Sequence, residues 1–248
     1  MSGHSKWATI KRAKGAKDAA RGKLFGRIIK EITIAARDGG GDIDGNPRLR
    51  LAVDKAKGSN MPADNIKRAI QRGTGELEGV NYDELTYEGY GPGGVAFIVE
   101  TITDNKNRTV AEIRHIFSKN NGSLAENGSV SWKFDRKGVI SIPKNYDEDD
   151  LMMIALDAGA EDMTVEEEYF EIVTDAGSFD AVKKAIEGKE IEIQEAGLQM
   201  IPQNTVKVDG KDAEGVLRLL EALEEHDDTQ EVYADFDIDA DVMESLQS

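Results

Sequence analysis

The chain has 248 residues, no cysteine, and 31 Lys and Arg against 48 Asp and Glu, a net charge of −17. That length suits one large domain or two to three small ones. The absence of cysteine excludes disulfides, thiolate metal sites and thiol catalysis. No apolar run is long enough to span a bilayer, and the N-terminus lacks the apolar core of a signal peptide, so the expectation is a soluble cytoplasmic protein with no membrane partner.

The charge is unevenly placed. Residues 1 to 72 hold 17 basic and 7 acidic residues, a balance of +10, whereas residues 73 to 248 hold 14 and 41, a balance of −27. A polyanion would be drawn to one end of this molecule and repelled by the other. Residues 1 to 21 read as a basic arm in which Lys6, Lys11, Arg12, Lys14, Lys17 and Arg21 are interleaved with Gly and Ala, with Trp7 available to stack on a base. The alternative is a solvated tail.

From Lys23 to Arg37 the apolar residues Leu24, Phe25, Ile28, Ile29 and Ile32 recur with helical period, with Lys23, Arg27, Lys30 and Arg37 on the opposite arc. Asn46-Pro47 announces a second helix, carrying Arg48 and Arg50, that runs to Gly58. Pro62 begins a third, with Lys67, Arg68 and Arg72 outward, that ends at Gly73. Three short amphipathic helices predict a small bundle whose basic faces meet solvent.

After a linker at 73 to 79 the pattern changes to strands. Segments 84 to 87 and 95 to 101 flank Gly89-Tyr-Gly-Pro-Gly-Gly94, which fits G-x-G-x-x-G but opens a strand instead of a helix, so it reads as a hairpin turn. Thr103 to Thr109 caps a helix, and the alternation of Val130, Trp132 and Phe134 predicts a half-buried strand. Residues 138 to 199 then hold a complete β-α-β-β-α-β unit: strands at 139 to 142, 161 to 165, 168 to 173 and 190 to 195, with helices at 148 to 158 and 178 to 187. A last β-α-β, with strands at 205 to 208 and 231 to 236 around a helix at 211 to 225, lacks a partner. Joined to the β-α-β of residues 95 to 134, it closes a second ferredoxin-like domain around the first. The fold class expected is therefore α+β with three domains: 1–78, a basic arm and helical domain; 79–136 plus 204–240, a discontinuous α/β domain; and 137–203, inserted in it.

Nothing marks an active site. His4, His115 and His226 have no partner at metal-ligand spacing. Asp235-Phe-Asp-Ile-Asp-Ala-Asp241 begins like a calcium loop but has Ala240 where glycine is needed and Leu246 where the bidentate Glu belongs, so it reads as a solvated strand end and tail. No phosphate-loop, nucleophile-elbow or HExxH motif is present. The expectation is a binding protein, not an enzyme, with no cofactor and no metal.

Several stretches together resemble one known family: Ser2-Gly-His-Ser-Lys-Trp7, Asn46-Pro-Arg-Leu-Arg50, Met61-Pro-Ala-Asp-Asn-Ile66, Tyr87-Glu-Gly-Tyr-Gly-Pro-Gly-Gly-Val-Ala96, Thr103-Asp-Asn-Lys-Asn-Arg-Thr109 and Gly128-Ser-Val130. In this order they are similar to the YebC/PmpR family of bacterial regulatory proteins, whose relatives include a mitochondrial translational activator. The likeness runs from residue 2 to about residue 240; Asn121 to Asn127 departs from the family's Gly-Gly and Leu-Gly pairing. The resemblance implies three domains, nucleic-acid binding in the bacterial cytoplasm and no catalytic residues.

The resemblance leaves the nucleic acid open. A DNA-binding transcriptional regulator would use the arm and helical domain, Lys6, Trp7, Lys11, Arg12, Lys14, Lys17, Arg21, Lys23, Arg27, Lys30, Arg37, Arg48, Arg50, Lys67, Arg68 and Arg72, on promoter phosphates, as a dimer on two half-sites. A ribosome- or RNA-binding translation factor, relieving stalling on proline-rich stretches, would use the same residues as a monomer. No helix shows a base-reading pattern, and the aromatic signature of an RNA-recognition motif is missing. A reading of another class is an acidic protein-interaction scaffold.

Overall fold

The computed structural model describes residues 18–166, 168–239 and 242. The described residues divide into two compact units, one formed by those up to Lys133 together with those from Asn204 onward, the other by those within Phe134–Gln203.

The first unit opens with three helices, α1 (Asp18–Gly39), α2 (Pro47–Gly58) and α3 (Ala63–Gly73). Helix α1 takes in residues 18 to 21, which the sequence pattern gave to the arm. Ile32, Leu49, Val53, Ile66 and Ala69 meet in their common core. Asn46 fixes the turn between α1 and α2. Its Oδ1 caps α2 by accepting from the Leu49 amide at 3.1 Å, and its Nδ2 donates to the Ala35 and Gly40 carbonyls at 2.8 and 2.9 Å. Where α3 crosses α1, a β-carbon at Gly73 would run into the Thr33 carbonyl and Ala36, so only glycine permits the approach.

Strands β1 (Asp83–Tyr90) and β2 (Ala96–Thr103) form an antiparallel hairpin, closed by Gly93 and Gly94 at φ 67° and 77°. Helix α4 (Lys106–Lys119) follows, and within the cap-type stretch 103 to 109 it is Asn105 that caps it. Asn121 turns the chain at φ 57°, a left-handed conformation that asparagine tolerates, into the short strand β3 (Ser123–Leu124) beside β1.

The second unit is the inserted ferredoxin-like domain. Its elements are β4 (Phe134–Pro143), α5 (Glu148–Asp157), β5 (Ala160–Val165), β6 (Tyr169–Asp175), α6 (Phe179–Glu187) and β7 (Glu195–Pro202), with antiparallel sheet order β5-β6-β4-β7. The last strand lies later than the alternation at 190 to 195 suggests. Strand β4 starts at Phe134, and its register with β7 runs from Phe134 opposite Pro202 to Ser141 opposite Glu195. Residues 190 to 194 instead turn into the strand through Glu190 at φ 58°.

Returning to the first unit, the chain forms β8 (Val206–Lys207), α7 (Gly210–Glu224), β9 (Thr229–Ala234) and β10 (Phe236–Asp237). The main sheet is ordered β3-β1-β2-β9, so the strand after α7 does pair with β2, as joining the two half-units requires. The strand beside β1 at the other edge is β3 and not a strand at 130 to 134, while β8 pairs with β10 in a separate two-stranded ribbon. Helices α4 and α7 bury Ile113, Phe117, Val216 and Leu220 against Phe97 and Val99 of β2, with Phe97 and Phe117 edge-to-face at 6.0 Å. The start of the acidic run is not solvated, since Asp235, Phe236 and Ile238 are all buried. Among the described residues no helix is long and apolar enough to cross a membrane.

Candidate nucleic-acid interface

The arm residues Lys6, Trp7, Lys11, Arg12, Lys14 and Lys17 lie outside the described residues. Arg21 sits over the Phe25 ring, 5.5 Å from its centre. The other cations of α1 do not simply face water, because the α/β domain of the same unit lies against their arc. Lys23 donates to the Glu225 carbonyl and Arg27 to the Glu224 carbonyl. Lys30 is tied to Asp228 at 2.6 Å and also reaches the Ile102 and Asp227 carbonyls. From α2, Lys55 bridges to Glu231 at 3.0 Å.

Asp228 is the centre of this seam. It is 4% exposed, and its carboxylate accepts from Lys30, from Arg108 at 2.8 Å and from the Thr109 hydroxyl at 2.8 Å. Burial alone would push this carboxyl up; the hydrogen bonds from Lys30, Arg108 and Thr109 outweigh it and hold the group well below the usual carboxylate range. The Asp228 amide donates to His226 Nδ1 at 3.2 Å, and His226 Nε2 lies 2.8 Å from Glu112, so this histidine belongs to the seam as well. The sequence places His226 just past a helix end, with no partner in view. Only the approach of α1 and α4 reveals its role.

Arg37, Arg48 and Arg50 are also engaged. Arg37 binds Asp38 and the Tyr82 carbonyl, and Arg50 reaches the Asp44 carbonyl at 3.0 Å. Arg48 is held at 2.8 Å by both Glu31 of α1 and Glu84 of β1. Burial would lower the Arg48 guanidinium, but hydrogen bonds to those two carboxylates raise it above its ordinary value. Helix α3 differs. Lys67, Arg68 and Arg72 are exposed, as is Lys57 on α2, and among the described residues no carboxylate pairs with any of the four; Arg68 bonds only to Asn65 Oδ1 at 2.9 Å and the Asp64 carbonyl. Of the basic faces read from the sequence, the structure leaves this one open.

A second buried carboxylate organises the loop after β3. Glu88, 5% exposed, accepts from the amides of Gly128, Val130 and Ser131 at 2.7, 2.6 and 3.0 Å. Burial raises this carboxyl, and the backbone hydrogen bonds from Val130, Gly128 and Ser131 more than compensate, leaving it below its ordinary value. Those amides are thereby taken from any strand ladder. Residues 131 to 133 form a short 3-10 turn, and Trp132, expected half-buried, is 67% exposed. Lys133 reaches Asp235 at 2.8 Å, whose other carboxylate oxygen accepts the Ala96 amide at 2.7 Å. Among the described residues no group of three or more His, Asp or Glu side chains gathers as a metal site.

Glu88 thus joins two of the motifs singled out in the sequence, the stretch 87 to 96 and Gly128-Ser-Val130. Residues 5–76 match the family model described as the TACO1/YebC protein N-terminal domain, and residues 82–236 match the TACO1/YebC second and third domain. The chain belongs to the TACO1/YebC family. Relatives named "Probable transcriptional regulatory protein" include those of Geobacter sp. strain M21, 56% identical over 99% of this chain and 100% of the relative, and Syntrophus aciditrophicus strain SB, 58% identical over 100% of both. Among solved structures, the conserved hypothetical protein Aq1575 from Aquifex aeolicus is 47% identical, with a TM-score of 0.83 over 90% of this chain and 92% of that one. This TACO1/YebC chain therefore shares its fold with that protein over nearly its whole length.

Proposed function

We propose that this chain is a nucleic-acid-binding regulator of gene expression that acts on promoter DNA. Lys67, Arg68 and Arg72 of α3, with Lys57 and the arm residues Lys6, Lys11, Arg12, Lys14 and Lys17, would neutralise backbone phosphates. The observation carrying this reading is the contrast within one small bundle: the cations of α1 are committed to the protein itself, while those of α3 are exposed and unpaired among the described residues. The relatives' name as probable transcriptional regulatory proteins points to DNA. The −27 balance beyond residue 72 would orient the molecule on the polyanion and discourage non-specific coating.

One observation favours RNA on the ribosome as a second reading. Helix α3 has 11 residues, opens with Asp64 in its first turn and turns Arg68 back on its own Asn65, which suits phosphate contact better than the reading of base edges. The triple reversal Lys67→Glu, Arg68→Glu, Arg72→Glu tests the interface. It is expected to weaken binding to duplex DNA at least ~10-fold and to reduce the log–log salt slope by about 2.7, three phosphates at ~0.9 each, with thermal unfolding unchanged. Parent-like binding by the triple variant would remove α3 from the interface. Salt-sensitive co-sedimentation of the parent with ribosomes, without duplex affinity, would make RNA the target.

A further inference from the structure

We propose that Trp132 is a stacking platform for an unpaired nucleobase, an inference that rests on the nucleic-acid-binding reading and assigns it a second contact away from α3. A large indole left 67% exposed is uncommon, and here the surrounding loop prevents it from folding inward. On one side, Glu88 holds the amides of Gly128, Val130 and Ser131, Gly128 adopts φ 87°, and Val130 is fully buried as a plug. On the other, the Lys133 amide donates to the Val130 carbonyl at 2.9 Å and its ammonium is clamped to Asp235. The indole N–H donates to the Ser129 carbonyl at 3.0 Å, an oxygen that also accepts from the Tyr90 hydroxyl at 3.1 Å. The ring is therefore fixed in orientation, and its one donor is already used.

What Trp132 offers a partner is a bare aromatic face. A tryptophan that anchors a protein interface sits at the centre of an apolar patch. Here the other exposed large apolar side chains of this unit, among the described residues, are Leu24, Leu77 and Val80, none of them in the loop or in the strands beneath it. The immediate flanks are Ser129, Ser131 and Lys133. A single, rigid, donor-satisfied ring in polar surroundings matches the face of a base, which stacks without needing a hydrogen bond from the ring and with little regard to sequence. A base inside a duplex has both faces covered. The partner must be unpaired, in RNA or in opened DNA.

The chain has two tryptophans, so Trp7→Phe leaves Trp132 as its only indole emitter. That variant is titrated with a single-stranded RNA dodecamer, DNA of the same sequence and the corresponding DNA duplex; affinities are measured on the otherwise unaltered chain by anisotropy of labelled oligonucleotides. Single strands are expected to quench Trp132 emission and the duplex is not. Trp132→Ala should weaken single-strand binding about 5- to 150-fold, the equivalent of ~1–3 kcal/mol per stacked base. Trp132→Phe should restore most of it, and the salt slope should stay unchanged because no phosphate contact is lost. Quenching by RNA alone, by DNA alone or by both identifies the source of the base. If the single strands bind the parent and Trp132→Ala equally, the platform is overturned while the nucleic-acid reading stands. If no oligonucleotide binds the parent at all, both fall.

Discussion

Asp228 and Glu88 are buried to almost the same degree, yet they are stabilised by different kinds of partner. Asp228 is satisfied by side chains drawn from separate elements, Lys30 of α1 and Arg108 and Thr109 of α4. Glu88 is satisfied by three consecutive-turn backbone amides of a single loop. Long cationic side chains can swing away from an anion; backbone amides cannot do so without unmaking the loop. The buried side-chain atoms without a hydrogen-bond partner among the described residues, Arg27 Nε, Thr229 Oγ1 and Gln230 Nε2, all lie near the Asp228 end and none near Glu88. The seam under α1 is thus a charged and incompletely satisfied junction, whereas the loop carrying Trp132 is a closed one. Two carboxylates of similar burial are thus held by partners of different kinds, long side chains at the seam and backbone amides in the loop.

The largest effect that would test this contrast is expected from Asp228→Ala. It strands the Lys30 ammonium, whose side chain is 16% exposed, without its counter-ion, and breaking a buried pair in this way costs ~3–5 kcal/mol. Urea unfolding should show the loss, and hydrogen exchange should show α1 losing protection before the β1-β2-β9 sheet. If helix and sheet exchange together, the seam is not a separable junction. A smaller loss, about 2 kcal/mol, is expected from Glu88→Gln, where a neutral amide replaces a carboxylate serving three backbone amides and turns an NH2 group toward donors. Here the amides of Val130 and Ser131 should exchange faster while α1 stays as protected as in the parent.

Much of this architecture is legible in the sequence because period and punctuation act locally. The Asn46-Pro47 start, the Asn105 cap, the glycine-closed hairpin at 91 to 94 and the β-α-β-β-α-β order of the insert all depend on neighbours close along the chain. What misleads is set by partners far away. Val130, Trp132 and Phe134 alternate like a strand, but Glu88, some 40 residues earlier, captures the amides that a strand would need. Lys23, Arg27 and Lys30 lie on the polar arc of α1 as expected, and nothing within that helix tells that residues 224 to 228 will cover them. The acidic run from Asp235 reads as solvated by composition, although its first members are inside the domain because Asp235 bridges Lys133 and the Ala96 amide. Charge counts located the basic end of the molecule; only the fold separates the cations that hold the protein together from those left for a ligand.

Acid titrates both carboxylates, and salt distinguishes them. Each is held below its ordinary value in the folded state, Asp228 against its own burial by Lys30, Arg108 and Thr109, Glu88 against its own burial by backbone amides. In acid the unfolded chain then binds protons more readily than the native one. The stability these groups supply is complete above the unfolded carboxylate range and is lost as pH falls toward their depressed folded values. Between about pH 5 and about pH 3 the parent should therefore lose stability more steeply than Asp228→Asn or Glu88→Gln, by on the order of 1 kcal/mol, with the larger flattening in Asp228→Asn. Raising the salt from ~0.05 to ~0.5 M should shrink the contribution of Asp228, whose partners carry charge at a part-open seam, and leave that of Glu88, bound to neutral amides, nearly unchanged. Equal salt sensitivity at the two sites would mean that the seam is as closed as the loop, and the cations of α1 would then be as unavailable to a polyanion as the amides of residues 128 to 131.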